Sequence, residues 1–528
     1  MDLSIQNFCG IRTVNPVEDT SIRQAISALK CRNVELRHTE KGNNTGIYTA
    51  AGNKKVAECP HKIIKQWESV QNRVSYHFVY AVDDIKGYLY LFNPASGDFQ
   101  ELKNDLSVCD CANAITVANG FYDWFVFTNG VDPYVAICMD QELPSDRIKE
   151  IDAVDAEGRT IRGLCLAAYD GRLVTNSQNR IHWSKVSDIF TFDTSDPDLV
   201  TESAYQELDR DVTALVYYNN MLIAFTDSYS VAFSGNPGDA LSFKRTGATG
   251  GGCASFGGVL KFDNKLFYLD NRAKNIFAYY LLDSGQTRPT AGLADNVTGF
   301  LSSLDESRIN ECEIIGYVAE ARAEIWFLLP CLNENKILIF DYVKSEWIER
   351  RAQPDIRALM AKNNSFYSAS QNKILSEYSG LLFDEEFQPC EYLAHIINVG
   401  SDSNVKIPKM PLIITLDYGK ENDFYIELTY DDNPAQRQLK RVFKSSKGYL
   451  IWAYSEDLES GGVWGNSQTD ENALMWFDKN RNSVMFNLCG LRHFKQLQIR
   501  IFTALRGQQF GIKRLELKRV KTKTKTLG

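Results

Sequence analysis

The stretch EIWFLLPCLNENKILIFD, from Glu324 to Asp341, decides the fold together with Trp347-Ile348 a few residues later. It contains two runs rich in Ile, Leu, Phe and Trp, and the turn Leu332-Asn333-Glu334-Asn335 separates them. Short runs of this composition, bounded by Asn, Asp, Gly or Pro, are typical of β-strands. The stretch therefore predicts a hairpin followed by a third strand, which is the meander that builds a propeller blade.

A turn followed by a strand recurs through the middle of the chain at intervals of 41–59 residues. The five instances are Arg172-Leu173-Val174, Met221-Leu222-Ile223, Lys265-Leu266-Phe267, Glu324-Ile325-Trp326 and Ser365-Phe366-Tyr367. Four-stranded propeller blades repeat every 40–50 residues or so, and strands expected around 76–92 and 115–139 supply further blades. We predict an all-β fold with a β-propeller of six to seven blade-like units. A pair of β-sandwiches or an irregular all-β assembly is the alternative, because the spacing is imperfect.

The pattern of strands and turns in the sequence changes on both sides of this repeat. We expect an N-terminal arm with the first strands over residues 1–75, the propeller over 76–385 and a separate β-sandwich-like domain over 386–520. The segment 521–528, with alternating Lys and Thr, is expected to be a solvated basic tail, with an edge strand added to a neighbour or a contact with phosphate as the alternatives. Helical periodicity is confined mainly to Thr20–Lys30, where Ile22, Ala25, Ile26 and Leu29 fall on one helical face.

Composition places the chain among ordinary globular proteins. It has 528 residues, 44% of them hydrophobic and 24% charged, with 58 basic and 67 acidic residues and a net charge of −9. Phosphate binding needs clustered Lys and Arg, so we do not expect the whole surface to bind nucleic acid. A protein surface of net negative charge repels phosphates, so the chain could surround DNA without binding it. No stretch reaches the ~18 apolar residues that cross a bilayer, and no secretory signal is expected at the start.

The 12 cysteines are scattered and form no CxxC pair. Cys109-Asp110-Cys111 is the closest approach to a metal motif, but no second pair lies at zinc-site spacing. We expect free, mostly buried thiols. Cys59-Pro60-His61 is a conceivable ligand pair that is more simply explained as an ordinary turn.

The motifs of phosphate-binding, metalloprotease and serine-hydrolase sites are all missing from the sequence. The glycine-rich stretch Gly247–Gly258 does not match GxGxxG, and we interpret it as a closely packed crossing between blades. No residue is predicted to be catalytic, to bind a cofactor or to bind a metal, and no cofactor is expected.

An ordered set of segments resembles phage tail hub and DNA-stabilisation proteins. Tyr169–Val174 and Asn179–Ser184 are similar to the family's "gRLyva…NrVyWS" signature, and Asp188, Phe190 and Phe192 follow. The later matches, in order, are Thr213–Leu215, Met221–Thr226, Ser230–Gly235, Gly257–Leu260, Asn264–Asp270, Glu324–Pro330 and Ile337–Trp347.

The resemblance covers about 350 residues, and it extends to the N-terminal segments Ile26–Ala28 and Asn33–Arg37. Two departures are clear. Ala51–Lys54 stands where the family has an Arg-rich "RpG" turn, and the C-terminal domain has no counterpart.

This resemblance implies a non-enzymatic virion protein of a short-tailed phage, made in the host cytoplasm. Copies would form a ring, commonly of six, below the portal and adaptor. The ring would contact other tail proteins, retain packaged DNA and let it pass at ejection without sequence-specific binding. No membrane span is implied.

Two other functions stay open. The first is a carbohydrate-binding or carbohydrate-cleaving propeller, such as a receptor-binding tail component, with Trp183, Trp464 or Trp476 stacking on sugars. The repeated Ser-x-Asp-x-Gly-x-x-Trp turn of sialidase-type propellers is, however, missing. The second is a non-viral propeller that serves as a scaffold for protein partners.

Overall fold

The structure is a computed structural model, and it divides the chain into two compact units. It describes residues 3–12, 25–39, 44–155, 157–192, 205–237, 239, 242–249, 251–281, 287–319, 322–332, 334–351, 356–398, 404–408, 412–417, 421–444, 450–451, 483–486, 496–517 and 520–524. The first unit, here called the propeller unit, contains Lys55–Leu338 and Gln353–Glu377. The second, the terminal unit, contains Met1–Lys54, Ile339–Ala352 and Tyr378–Gly528.

Six small sheets form the blades of a β-propeller in the propeller unit. The first five blades are antiparallel meanders of consecutive strands. The strands of blades 1 and 2 are Lys62–Gln71, Val74–Val82, Gly87–Asn93 and Asp98–Leu106, then Asn113–Asn119, Tyr122–Thr128, Tyr134–Ile137 and Ile148–Ile151. Those of blade 3 are Leu166–Tyr169, Arg172–Ser177, Arg180–Lys185 and Asp188–Phe192, with Tyr205–Glu207 added to the third. Those of blades 4 and 5 are Ala214–Tyr218, Met221–Phe225, Ser230–Ser234 and Lys244–Thr249, then Val259–Phe262, Lys265–Asp270, Asn275–Leu281 and Thr287–Pro289.

Blade 6 closes the circle with strands from distant parts of the chain. Ile356–Lys362, Ser365–Ser370 and Lys373–Glu377 are joined by Asn53–Glu58 as the fourth strand. The Cys59 amide donates to the Asn372 carbonyl at 2.7 Å, and the Asn372 side chain donates to the Cys59 carbonyl at 3.3 Å. Joining an early strand to the last blade satisfies the backbone groups that an open sheet edge would leave unpaired.

A hairpin of Glu313–Ala319 and Arg322–Pro330 lies between blades 5 and 6. Its first strand contacts the first strands of both neighbouring blades, Val259–Phe262 and Ile356–Lys362. The strands Asn335–Asp341 and Glu346–Arg350 follow as the chain passes into the terminal unit. The meander expected over Glu324–Ile348 is therefore not one of the six blades, because its first strand belongs to this hairpin and its last strand to the terminal unit. Six blades and this hairpin confirm the predicted all-β propeller of six to seven blade-like units.

The predicted repeat corresponds to one element of the fold. Each of its five instances lies at or near the start of the second strand of a blade or of the hairpin. Several of the turns before these strands have two residues with positive φ, such as Asn219 at 51° and Asn220 at 58°, or Asp263 at 47° and Asn264 at 56°. Asn and Asp tolerate this left-handed backbone, and turns of this kind match the twist of antiparallel strands.

Blades pack face to face through apolar side chains. Phe78 of blade 1 stacks on Phe125 of blade 2 with ring centroids 4.1 Å apart. Between blades 3 and 4, Trp183 packs against Phe243 at 5.4 Å. Trp183 is fully buried, so it belongs to the core rather than to a sugar platform, and Trp464 and Trp476 lie outside the described residues.

Helix is scarce in the described part of the chain. It consists of the single α-helical turn Thr298–Leu301 and the 3₁₀ segments Pro144–Asp146, Phe256–Gly258, Asp295–Val297 and Glu306–Glu311. No helix among the described residues has the length and apolar character needed to cross a membrane.

The terminal unit is also built from strands. Those before the propeller are Leu3–Ile5, Asn7–Ile11, Ala25–Arg32, Val34–His38 and Thr45–Thr49. Those after it are Glu391–Ala394, Ile397–Asn398, Asn404–Pro408, Leu412–Leu416, Asn422–Tyr430, Asn433–Lys444, Leu450–Ile451, Ser483–Phe486, Gln496–Phe502, Gly511–Leu517 and Val520–Thr524. N-terminal and C-terminal strands pair directly, as Leu3–Ile5 does with Leu515–Leu517.

These pairings change the expected domain boundaries. The boundary at residue 76 falls inside blade 1, whose first strand begins at Lys62. The strands after residue 386 do not stand alone, because they share hydrogen bonds with the N-terminal arm. Pairing between segments so distant in sequence leaves no local pattern from which it can be read.

Two local predictions are wrong where the structure describes them. Ala25–Arg32 is a strand rather than the second half of a helix, and Leu29 of its expected apolar face is 42% exposed; residues 20–24 lie outside the described part. The strand pairs with Asn7–Ile11 on one side and Glu391–Ala394 on the other, which overrides a short helical pattern. Val520–Thr524 pairs with Asn404–Pro408, so the expected basic tail is a strand up to Thr524, and 525–528 are not described.

Candidate functional site

The His, Cys, Asp and Glu side chains of the described residues do not cluster into a metal site. No group of three or more His, Cys, Asp or Glu among the described residues is arranged to hold a metal ion. Of the candidate ligand pair, Cys59 is buried and His61 stacks on Tyr88 with ring centroids 3.9 Å apart. Cys109 and Cys111 are both half-buried, and burial followed by the charge of Cys111 raises the pKa of Cys109 to about 11.

A pocket of about 440 Å³ lies at one end of the propeller. Its walls come from the connections that lead into the first strands of successive blades and from the turns between second and third strands. The segment 160–165 enters blade 3, Val212 and Thr213 enter blade 4, and Phe256 precedes blade 5. Since first strands line the propeller axis, we call this cavity the mouth pocket.

Gly163 shapes one wall of the mouth pocket. Its amide donates to Tyr134 Oη at 2.7 Å, and its carbonyl accepts from Thr128 Oγ1 at 3.1 Å. A Cβ at this position would overlap the Asn176 carbonyl oxygen. Only glycine therefore allows these backbones to approach so closely.

Asn176 ties blade 3 to the connections on either side of it. Its Oδ1 accepts from the Cys165 amide at 3.1 Å, and its Nδ2 donates to the Val212 carbonyl at 3.2 Å. The side chain is buried, and both ends of the amide are satisfied. The wall is thus held in place by hydrogen bonds within the protein.

The thiol in the wall is not an activated nucleophile. Cys165 is buried, its Sγ lies 3.5 Å from the Val212 carbonyl oxygen, and burial raises its pKa well above the usual range. A thiol that stays protonated at neutral pH is a weak nucleophile.

Arg162 brings one positive charge to the pocket. Its Nη2 donates to Asp152 Oδ1 at 2.7 Å, and its Nη1 donates to the Ile161 carbonyl at 3.0 Å. Asp152 is 75% exposed at its side chain, so the pair faces solvent. The charge near the pocket is therefore already largely balanced.

Four further polar side chains line the pocket without a protein partner. Thr160, Ser177, Gln178 and Asn310 make no side-chain hydrogen bond within the described part of the chain. Phe256 adds a half-buried aromatic ring, and Leu164 an aliphatic surface. Hydroxyl and amide groups both donate and accept, so the pocket can bind an uncharged polar molecule.

A buried ion pair also lies among the innermost strands. Lys65 Nζ of blade 1 is 3.3 Å from Glu313 Oε1 of the hairpin, and the Leu359 amide of blade 6 donates to Glu313 Oε2 at 2.8 Å. Burial raises the pKa of Glu313, and the positive charge of Lys65 opposes that shift. The contacts connect three elements around the axis, which is a structural role.

The end opposite the mouth pocket, where first strands turn into second strands, exposes apolar side chains. The exposed residues at these turns are Val70, Val74, Phe121, Tyr122, Tyr217 and Val318. The turns of blades 1 and 2 contact each other, since the Asn72 amide donates to Asp123 Oδ2 at 3.3 Å. This set, here called the turn face, is the kind of surface that often contacts other proteins.

Sequence reasoning singled out neither the pocket nor the ion pair. Their residues come from blades far apart in the chain and form no motif, so no local pattern in the sequence marks them.

Comparison with known proteins places the chain in no family, because no protein-family model and no curated protein sequence matches it.

Proposed function

We propose that this chain is a structural component of a short-tailed bacteriophage tail, in which copies form a ring below the portal and adaptor. The ring would extend the DNA channel, retain the packaged genome and let it pass at ejection. The observation that carries the proposal is the ordered resemblance of the blade segments to tail hub and DNA-stabilisation proteins. The matched segments, such as Met221–Thr226 and Asn264–Asp270, fall on consecutive blades of the propeller.

Rigidity of the propeller supports this role. A subunit that holds a pressurised genome needs to keep its shape, and a closed circle of blades leaves few free edges. Closure by Asn53–Glu58 and the buried pair of Lys65 and Glu313 both join strands distant in sequence. The exposed apolar turn face suits a protein that contacts other subunits.

The net negative charge of the chain also supports the proposed role in a DNA channel. The net charge of −9 gives no general affinity for phosphates, and passing DNA must not be held. Most basic side chains described in the terminal unit are also paired, as Arg441 is with Asp423 at 2.8 Å.

Hydrolysis of carbohydrate is less well supported. The described residues that line the mouth pocket include no Asp or Glu, whereas glycosidases use two carboxylates. We therefore do not assign a cleavage reaction to this pocket.

The proposal is tested by the mass of the purified protein in light scattering, measured alone and with portal and adaptor proteins from the same source. A ring, or a monomer that assembles when the adaptor is added, is the expected result. A monomer at all concentrations that ignores these proteins would overturn the proposal. Electron microscopy of the mixture then gives the number of copies.

A further inference from the structure

We propose that the mouth pocket is a binding site for a neutral saccharide unit. The inference stands on the pocket itself and does not depend on the ring, so the protein can assemble whether or not it binds sugar.

The size of the pocket is suitable. Its volume of about 440 Å³ lies within the roughly 300–1,000 Å³ of small-molecule sites. The pocket is open to solvent on one side, so a terminal sugar of a longer chain can enter without burial of the whole chain. Weak binding, with a Kd in the millimolar range, is expected from a pocket this open.

The hydrogen-bonding groups match hydroxyls. Gln178 and Asn310 each offer an amide donor and acceptor, and Thr160 and Ser177 each offer a hydroxyl. None of the four is occupied by another described side chain or backbone group. A sugar hydroxyl both donates and accepts, so each of these groups can serve it in either role.

The apolar groups match the other surface of a sugar. Phe256 and Leu164 lie in the same lining, and Phe256 is half-buried against the core between blades 3 and 4. A fixed aromatic ring provides a flat apolar surface for the C–H face of a pyranose. Mixed amide, hydroxyl and aromatic lining favours a polyhydroxylated ligand over a purely apolar one.

The charge distribution favours a neutral ligand over an anion. Arg162 is the single charged residue among the described lining residues, and Asp152 already binds it at 2.7 Å. An anion would have to displace or tolerate that carboxylate. A neutral sugar can instead accept a hydrogen bond from the guanidinium without breaking the pair.

The pocket wall is preorganised. Gly163 and Asn176 are held by hydrogen bonds of 2.7–3.2 Å to Tyr134, Thr128, Cys165 and Val212. A site that is ordered before binding loses less conformational entropy when the ligand arrives.

The experiment is saturation-transfer NMR on the full-length protein with glucose, galactose, N-acetylglucosamine and lactose, and with glucuronate as an anionic probe. We expect saturation transfer to at least one neutral sugar. Gln178→Ala and Thr160→Trp should each weaken it at least tenfold, the first by removing hydrogen bonds and the second by filling the pocket. Gln100→Ala, an exposed amide on the outer strand of blade 1, is the matched control and should leave binding unchanged.

Three results would overturn the proposal. They are no transfer to any neutral sugar at millimolar concentration, binding of glucuronate alone, and binding that Thr160→Trp leaves intact. Thr160 and Gln178 are exposed, so both variants are expected to fold, and their thermal unfolding is compared with that of Gln100→Ala. If no neutral sugar binds, the proposal of a ring, which light scattering tests, is unaffected.

Discussion

Lys65 and Glu313 form an ion pair inside the propeller, with Nζ 3.3 Å from Oε1 and side chains only 4% and 9% exposed. The two residues are on blade 1 and on the hairpin, so the pair joins the beginning of the circle to a part close to its end. A buried ion pair adds little to the stability of a protein compared with an apolar pair of the same shape. Removal of one partner is strongly destabilising, however, because the other charge stays buried without compensation.

Lys65→Met should lower the free energy of unfolding by about 3–5 kcal/mol, because Glu313 would remain buried without its cation. Urea denaturation at neutral pH measures the loss. Lys55→Met is the control, since Lys55 and Glu58 are 47% and 54% exposed and an exposed pair of this kind contributes little to stability. The double variant Lys65→Met with Glu313→Met should recover most of the stability. Equal effects of Lys65→Met and Lys55→Met would contradict this account.

His77 should make the protein less stable in mild acid. Burial, followed by the charge of Lys362, lowers the pKa of His77 from 6.5 to about 3. Its contribution to stability is complete above pH 6.5 and is lost as pH falls towards 3, because only the unfolded chain takes up the proton. Between pH 6.5 and 4.5 the free energy of unfolding should therefore fall less steeply with pH in His77→Gln than in the parent. The difference in slope should correspond to the uptake of up to one proton on unfolding, and urea denaturation at several pH values measures it. Gln100→Ala should keep the slope of the parent, and an unchanged slope in His77→Gln would refute the prediction.

The cysteines should be unreactive while the protein is folded. Burial is the largest cause that raises the pKa of all eleven described thiols, to about 11 for Cys59 and about 12 for Cys253. A pKa of 11 leaves less than about one thiolate in a thousand at pH 7.5. Alkylation followed by peptide mass spectrometry should label these residues slowly in buffer and fast in urea. Rapid labelling of Cys165 in the folded protein would show that the wall of the mouth pocket opens.

Gly163→Ala should destabilise the propeller by about 1–3 kcal/mol, because the new methyl group overlaps the Asn176 carbonyl oxygen. Gly299→Ala is the control, since nothing lies within 4 Å of its added Cβ and Gly299 is in a helical turn. That variant should be as stable as the parent or slightly more stable. Thermal unfolding distinguishes the two, and equal midpoints would mean that the wall adapts.

Much of the propeller could be predicted from local patterns. Apolar runs that follow turns rich in Asn, Asp and Gly predict strands at Arg172, Met221 and Lys265, and each of these strands is confirmed. That each is the second strand of its blade comes from the structure. The same signal was available earlier in the chain, at Asn72-Arg73 and Asn119-Gly120, where the turns also have positive φ. The prediction of free, mostly buried thiols is likewise confirmed for the described residues.

The features missed from the sequence depend on long-range pairing. Nothing local shows that Asn53–Glu58 belongs to blade 6, or that Ala25–Arg32 is a strand between two distant partners. The mouth pocket could not be predicted from the sequence for the same reason, since Gln178 and Asn310 come together only when several blades have formed. The ring, its partners and its place in a virion stay predictions that the experiments above address.

The fourth strand of blade 6 has a consequence for how the protein is made. A ribosome synthesises Asn53–Glu58 before any blade, yet the partner of this strand, Lys373–Glu377, emerges after all the others. During that interval the early strand offers unpaired backbone groups to any neighbouring nascent chain. Crowded translation, as on a polysome, therefore favours exchange of this strand between chains, and a chaperone that shields the first sixty or so residues should raise the yield of correctly closed monomers.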